Sequence, residues 1–173
     1  AGMSTAAKLS NTIQNPDITI IEPQTYSVSY QPGQTLIGAG FWKKSDVMYQ
    51  RDDFVPNASK IIKEKAIEFD PDNNTVTTNK GTIVHYDFLI ISAGVKLNYS
   101  SIKGLEEVGE LYSLGKNDDA IKALNNKGVS SIYTMDGAEQ TWKNMESYIS
   151  KVQNGDKKTA IFTQPNTPIK CDG

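Results

Sequence analysis

Apolar positions along this 173-residue chain come in two rhythms. Ile18-Thr-Ile-Ile21 and Tyr86-Asp-Phe-Leu-Ile-Ile91 are short apolar runs. The first is closed by Glu22-Pro23 and the second by Ser92-Ala-Gly94. Runs of this kind predict strands covered on both faces, as in a parallel sheet. Ser59 to Phe69, with Ile61, Ile62, Ala66, Ile67 and Phe69, predicts another strand, and Thr159 to Phe162 the last. Helical spacing predicts helices over Gly2 to Ser10, where Ala6 and Ala7 form a close-packing face, over Asp118 to Asn125 and over Gly137 to Val152. Asp70-Pro-Asp-Asn-Asn74 is a turn cluster, and Lys80-Gly81 joins Thr75–Asn79 to Thr82–His85 as a hairpin. Asn11 to Asp17 reads as a polar turn, Tyr26 to Gly40 as a loop, and Val95 to Gly115 as a loop with short pieces. Phe41 to Asn57 has no clean period. The order helix, strand, loop, hairpin, strand, helix, strand is that of an α/β nucleotide-binding domain with an antiparallel insertion.

Composition narrows the classes. The net charge of −2 and a pI near 5.4 leave no basic excess for displacing counterions from nucleic acid. One cysteine and one histidine exclude an internal disulfide and Cys- or His-rich metal sites, so no metal is expected. No apolar run approaches the ~20 residues of a membrane-spanning helix. The chain opens on Ala1-Gly2-Met3 directly into a helix and closes on Asp172-Gly173, which reads as a piece truncated at both ends of a longer protein.

The first candidate chemistry lies at the start. A dinucleotide fold needs a glycine turn, a helix N-terminus facing the pyrophosphate, and an acid ending the next strand. Ala1 and Gly2 open the first helix, and Gly2 fits the third glycine of G-x-G-x-x-G. Glu22 ends the next strand, where it would accept a ribose hydroxyl. Taken singly, Gly2 is also an ordinary helix start and Glu22 an ordinary surface acid; the pair at this spacing carries the reading. Ser92, Ala93 and Gly94 form a small-residue turn that would let backbone approach a flat cofactor.

The second candidate is Cys171. It ends a loop holding Pro165 and Pro168, follows Lys170 and precedes Asp172-Gly173. A lysine beside a thiol lowers its pKa, whereas an adjacent carboxylate raises it. The prolines would hold the sulfur in fixed geometry. Trp142, with Met145 and Tyr148 at helical spacing, fits core packing, and His85 reads as structural. Tyr30, Gln31 and Pro32 are open between packing and a place beside a cofactor.

Three stretches together resemble one family. Tyr26 to Gly40 (YSVSYQPGQTLIGAG), Asp87 to Gly94, and Ile161 to Cys171 (IFTQPNTPIKC) resemble the sulfide:quinone oxidoreductases, above all the mitochondrial type and its bacterial relatives. Asp136-Gly-Ala-Glu-Gln-Thr-Trp142 is similar to the helix before that family's first redox-cysteine loop. The departure is Asp172-Gly173, where the family usually has Ala-Gly.

The resemblance implies an α/β fold. A Rossmann-like FAD-binding domain (three layers, parallel sheet, antiparallel β insertion) would cover 1–115. Linker helices and the start of a second Rossmann-like domain would cover 116–173. It implies FAD bound at Ala1, Gly2, Glu22, Tyr30, Gln31, Pro32, Ser92, Ala93 and Gly94, with Cys171 as the first of two redox cysteines. Hydrogen sulfide would be oxidised to sulfane sulfur or persulfide, electrons would pass to ubiquinone or another membrane quinone, and the sulfur would leave to glutathione or sulfite. The full-length protein would associate peripherally with the matrix side of the mitochondrial inner membrane, or with the cytoplasmic membrane face in a bacterium.

Three rivals stand beside this reading. A type II NADH:quinone dehydrogenase needs a second glycine-rich turn where this chain has Gln-Pro-Asn-Thr-Pro-Ile-Lys-Cys, which cannot admit a pyrophosphate. The flavin subunit of a flavocytochrome c sulfide dehydrogenase is a further relative. The third is a truncated flavin-fold remnant with no activity.

Overall fold

A computed structural model describes residues 1–28, 32–94 and 96–163. Helix α1 (Gly2–Thr12) buries Ala6 and ends at Ile13, whose backbone is extended. A turn follows in which Asn15 takes φ +51, a conformation that asparagine tolerates. The chain then enters β1 (Ile18–Ile21), against which α1 packs. A helix joined to the next strand by a short turn and packed on it must run antiparallel to that strand. The first turn of α1 and the end of β1 therefore lie at the same edge of the layer.

Strand β1 pairs in parallel with β4 (Ser59–Ile62), Ile18 facing Ser59 and Ile21 facing Ile62. A parallel neighbour requires a long crossover. Here it contains β2 (Tyr26–Val28), α2 (Gly33–Gly38), a 3-10 turn at Lys44–Asp46, β3 (Met48–Gln50) and a second 3-10 turn at Arg51–Phe54. Strands β2 and β3 pair antiparallel. Strands β5 (Ala66–Asp70), β6 (Thr75–Thr78) and β7 (Ile83–His85) form the antiparallel insertion. Its first turn is fixed by Asp70, whose carboxylate accepts from the Asn73 backbone N–H and side-chain amide. Its second turn uses Gly81 at φ +84. After a 3-10 turn at Tyr99–Ser101 come α3 (Glu106–Ser113), α4 (Asn117–Asn126) and α5 (Met135–Gln153). The expected α/β class, with a parallel pair and an antiparallel insertion, is the architecture observed.

Two apolar centres hold the described residues. Ile37, Val47, Met135 and Ala138 form one, backed by Met48 and Ile132, so α2 and α5 share a core although about a hundred residues separate them. Thr134 caps α5 by accepting the Gly137 N–H at 3.0 Å, a contact typically worth about 1 kcal/mol. An ion pair between Asp136 in the first turn of α5 and Lys44 ties the Lys44–Asp46 turn to α5, and it holds the Lys44 amine above its ordinary pKa. The second centre is Leu105, Val108, Ala120 and Leu124, closing α3 on α4, with Tyr99 stacked on Tyr112 at its border. Trp142 is part-buried, its ring against the backbone of Gly40, which agrees with a packing role.

Several expected elements differ. Tyr86–Ile91 and Thr159–Phe162 form no strand among the described residues and are not buried: Phe88 is 93% exposed and Phe162 82%. Apolar composition makes a run fit to be a covered strand, but a ladder also needs a partner backbone, and none of the described strands lies beside either run. For the same reason β1 is only half-buried rather than covered. The 26–40 stretch, expected as a loop, holds β2 and α2, and the 95–115 stretch, expected as a loop with short pieces, holds α3. No helix among the described residues is long and apolar enough to cross a membrane.

Candidate functional site

The edge where α1 begins and β1 ends gathers most of the sequence-predicted residues that fall among the described ones. Ala1 is the N-cap of α1 and makes no side-chain capping bond, and the first turn carries no acid. Its leading amides therefore have no side-chain acceptor from the cap, and the positive end of the helix dipole is not offset by a local carboxylate. Gly2 stands at that turn, and a Cβ there would lie 3.3 Å from Ser92 Cβ and 3.8 Å from Ser92 Oγ. The structure thus brings together Gly2 and Ser92, ninety positions apart, at a separation that a side chain on Gly2 would crowd. The expected turn at Ser92–Gly94 is an irregular segment without an assigned turn, in which Gly94 takes φ +76 and Ser92, Ala93 and Gly94 are all exposed. A glycine at a helix start with no side-chain cap, beside an exposed segment, is an arrangement that could receive a phosphate group.

Glu22 leaves β1 at the same edge, its backbone N–H bonded to Ile62 carbonyl at 3.0 Å, so its position is set by the parallel pair. Its carboxylate is held twice. Oε1 accepts the Gln24 backbone N–H at 2.8 Å, and Oε2 accepts Arg51 Nη1 at 2.8 Å. Arg51 in turn donates from Nη2 to the Tyr26 carbonyl at 2.9 Å, and its own backbone N–H bonds the Thr25 carbonyl at 2.9 Å. The two side chains are only 18% and 25% exposed (Arg51 and Glu22). A carboxylate offers about four acceptor positions, so two lone pairs stay available for ribose hydroxyls.

Pro32 is the exposed N-cap of α2, a helix whose Gly33 and Ile37 are buried. Tyr30, Gln31, Lys170 and Cys171, with Pro165 and Pro168, lie outside the described residues. His85 is an exposed end residue of β7, paired with Thr75. Arg51 carried no sequence signal: it sits in the 41–57 stretch that lacks a period, and only the folded crossover sets it against Glu22.

No family model matches the chain. Over 173 residues it is 35% identical to the mitochondrial sulfide:quinone oxidoreductase of Dictyostelium discoideum, covering 99% of this chain and 33% of that protein. Over 172 residues it is 30% identical to the mitochondrial sulfide:quinone oxidoreductase of Mus musculus, again covering 99% of this chain and 33% of the relative. The crystal structure of the Aquifex aeolicus sulfide:quinone oxidoreductase superposes with a TM-score of 0.65 at 28% identity, covering 86% of this chain and 30% of that one. The chain spans about a third of the length of the curated relatives it matches. These matches run over nearly the whole chain, which is thus similar along its length to about a third of each of these sulfide:quinone oxidoreductases.

Proposed function

We propose that this chain is the part of an FAD-dependent sulfide:quinone oxidoreductase that binds the dinucleotide and carries the first redox cysteine. The observation that carries the reading furthest is the approach of Gly2 to Ser92 at the uncapped start of α1, on the edge where Glu22 ends β1. In this reading residues 1–115 are the FAD-binding domain, and 116–173 are linker helices and the start of a second Rossmann-like domain. The α1 amides and Gly2 receive the pyrophosphate, Glu22 accepts the ribose hydroxyls, and Ser92, Ala93 and Gly94 border the flavin half, with Tyr30, Gln31 and Pro32 beside it. FAD, when bound, supplies the acceptor for the two electrons released when sulfide becomes sulfane sulfur. Cys171 holds that sulfur as a persulfide, exchanging it with a second cysteine of the full-length protein. Lys170 favours the thiolate and Asp172 opposes it, so the charges flanking the sulfur tune its reactivity.

Ubiquinone or another membrane quinone is the proposed final acceptor, and glutathione or sulfite the sulfur acceptor. The proposed setting is a membrane: the matrix side of the mitochondrial inner membrane, or the cytoplasmic face in a bacterium. The test is Cys171→Ser in the full-length protein. The reading predicts that sulfide-dependent quinone reduction is lost while bound flavin is retained. Undiminished activity in that variant would overturn the assignment of Cys171.

A further inference from the structure

The Glu22–Arg51 pair does more than stabilise the fold. A half-buried ion pair is weak evidence for stability, since desolvating two charges offsets most of their attraction. This pair also leaves a cost unrecovered: Arg51 Nε is buried and has no hydrogen-bond partner among the described residues. A buried donor left unmade is destabilising, and a native structure that keeps one calls for a reason. The geometry supplies one. Arg51 spans two elements, gripping Glu22 Oε2 after β1 with one fork nitrogen and the Tyr26 carbonyl in β2 with the other. Together with the Gln24 N–H on Oε1, this holds both carboxylate oxygens, so the carboxylate plane cannot turn freely. A planar guanidinium makes both contacts from two nitrogens held in one rigid fork, whereas a lysine ammonium has a single nitrogen and no fixed plane.

We infer that Arg51 is a positioning residue for dinucleotide binding: it pre-orients the Glu22 carboxylate so that its remaining lone pairs meet the vicinal hydroxyls of a ribose. The inference rests on the proposed reading of Glu22 as the ribose acceptor. Pre-orientation removes an ordering cost at the moment of binding and so appears in the affinity for the nucleotide.

The experiment is an FAD titration of the deflavinated full-length protein, read by flavin fluorescence, with the circular dichroism of the apoprotein as the check on folding. The variants are Glu22→Gln, Arg51→Met, Arg51→Lys and the double variant Glu22→Gln with Arg51→Met. Arg51→Met is expected to weaken FAD binding by about ten- to hundredfold, the range for losing a charge-assisted hydrogen bond that matters to binding. Arg51→Lys recovers part of that loss. In the Glu22→Gln background Arg51→Met adds no more than about twofold, because its effect passes through Glu22. If Arg51→Met is as costly on Glu22→Gln as on the wild type, Arg51 acts on its own and the inference is wrong. If Glu22→Gln weakens binding and Arg51→Met does not, the inference is wrong and the ribose reading stands. If Glu22→Gln binds FAD as the wild type does, the ribose reading falls and takes the inference with it. Should Arg51→Met fail to fold, Arg51→Lys alone and combined with Glu22→Gln gives the same comparison.

Discussion

Gly40→Ala tests how the two ends of the chain are locked together. Gly40 follows α2 at φ +79, and an ideal Cβ there would sit 2.5 Å from Trp142 Cε2 and Cζ2 and 2.7 Å from Cδ2. Two penalties therefore act at once. An L-residue in the left-handed region costs about 1–2 kcal/mol. Driving a methyl into a packed ring costs about 1–3 kcal/mol more, because α5 must shift or Trp142 must leave its rotamer. Together the loss is about 2–5 kcal/mol, a large part of the stability of an ordinary domain. Gly81→Ala is the internal control. Gly81 has φ +84, but an ideal Cβ there meets no heavy atom of the described residues within 4 Å, so only the backbone term applies. Urea unfolding followed by tryptophan fluorescence measures both variants, and Trp142 itself reports on the contact. The expected order is Gly40→Ala well below Gly81→Ala. Adding Trp142→Ala to each should bring the two increments together. A Gly40→Ala variant no less stable than Gly81→Ala would refute the claim that α2 and α5 meet backbone to ring.

Two further outcomes follow from the packing and the charges. Leu124→Ala, at a site 3% exposed in the α3–α4 core, should cost about 2–5 kcal/mol in urea unfolding, toward the lower end because Leu111, Tyr112 and Ala123 around it are only part-buried and can settle inward. The Thr78 hydroxyl, on a residue 1% exposed, donates to Glu64 at 2.5 Å and, with Thr82, holds that carboxyl below the usual glutamate range. A depressed carboxyl stabilises the fold at pH above its unfolded value, and the contribution fades as the pH falls through the lowered folded value. The protection of the Thr82 amide, whose N–H bonds Thr78 Oγ1, measured against its intrinsic exchange rate at each pH, should therefore fall on acidification in the wild type and show a flatter pH response in Glu64→Gln.

The elements read correctly from sequence are those whose signal is local. Asp70 to Asn74 and Lys80-Gly81 set their turns through their own side chains and backbone freedom, and α1, α4 and α5 carry a helical period within themselves. Tyr86–Ile91 has the composition of a covered strand, but coverage belongs to the neighbour, and composition cannot say which backbone stands beside it. Helix α3 lies in the stretch expected as loop with short pieces, and its type is not legible there because Glu106 to Ser113 is short and follows a glycine-broken stretch. It is a helix because Val108 and Leu105 meet Ala120 and Leu124 of α4. Gly2 and Glu22 could be proposed from the sequence because a dinucleotide fold sets such a spacing along the chain. The approach of Ser92 to Gly2, and the hold of Arg51 on Glu22, depend on how the crossover folds back. No spacing rule encodes either.

The central claim is that this chain orders FAD for electrons arriving from sulfide rather than from a nicotinamide. Its most direct test is to add sulfide or NADH, anaerobically, to the flavin-loaded full-length protein and follow the visible absorbance of the bound flavin. Rapid bleaching by sulfide with no response to NADH is the predicted result. Bleaching by NADH, with sulfide inert, would contradict it.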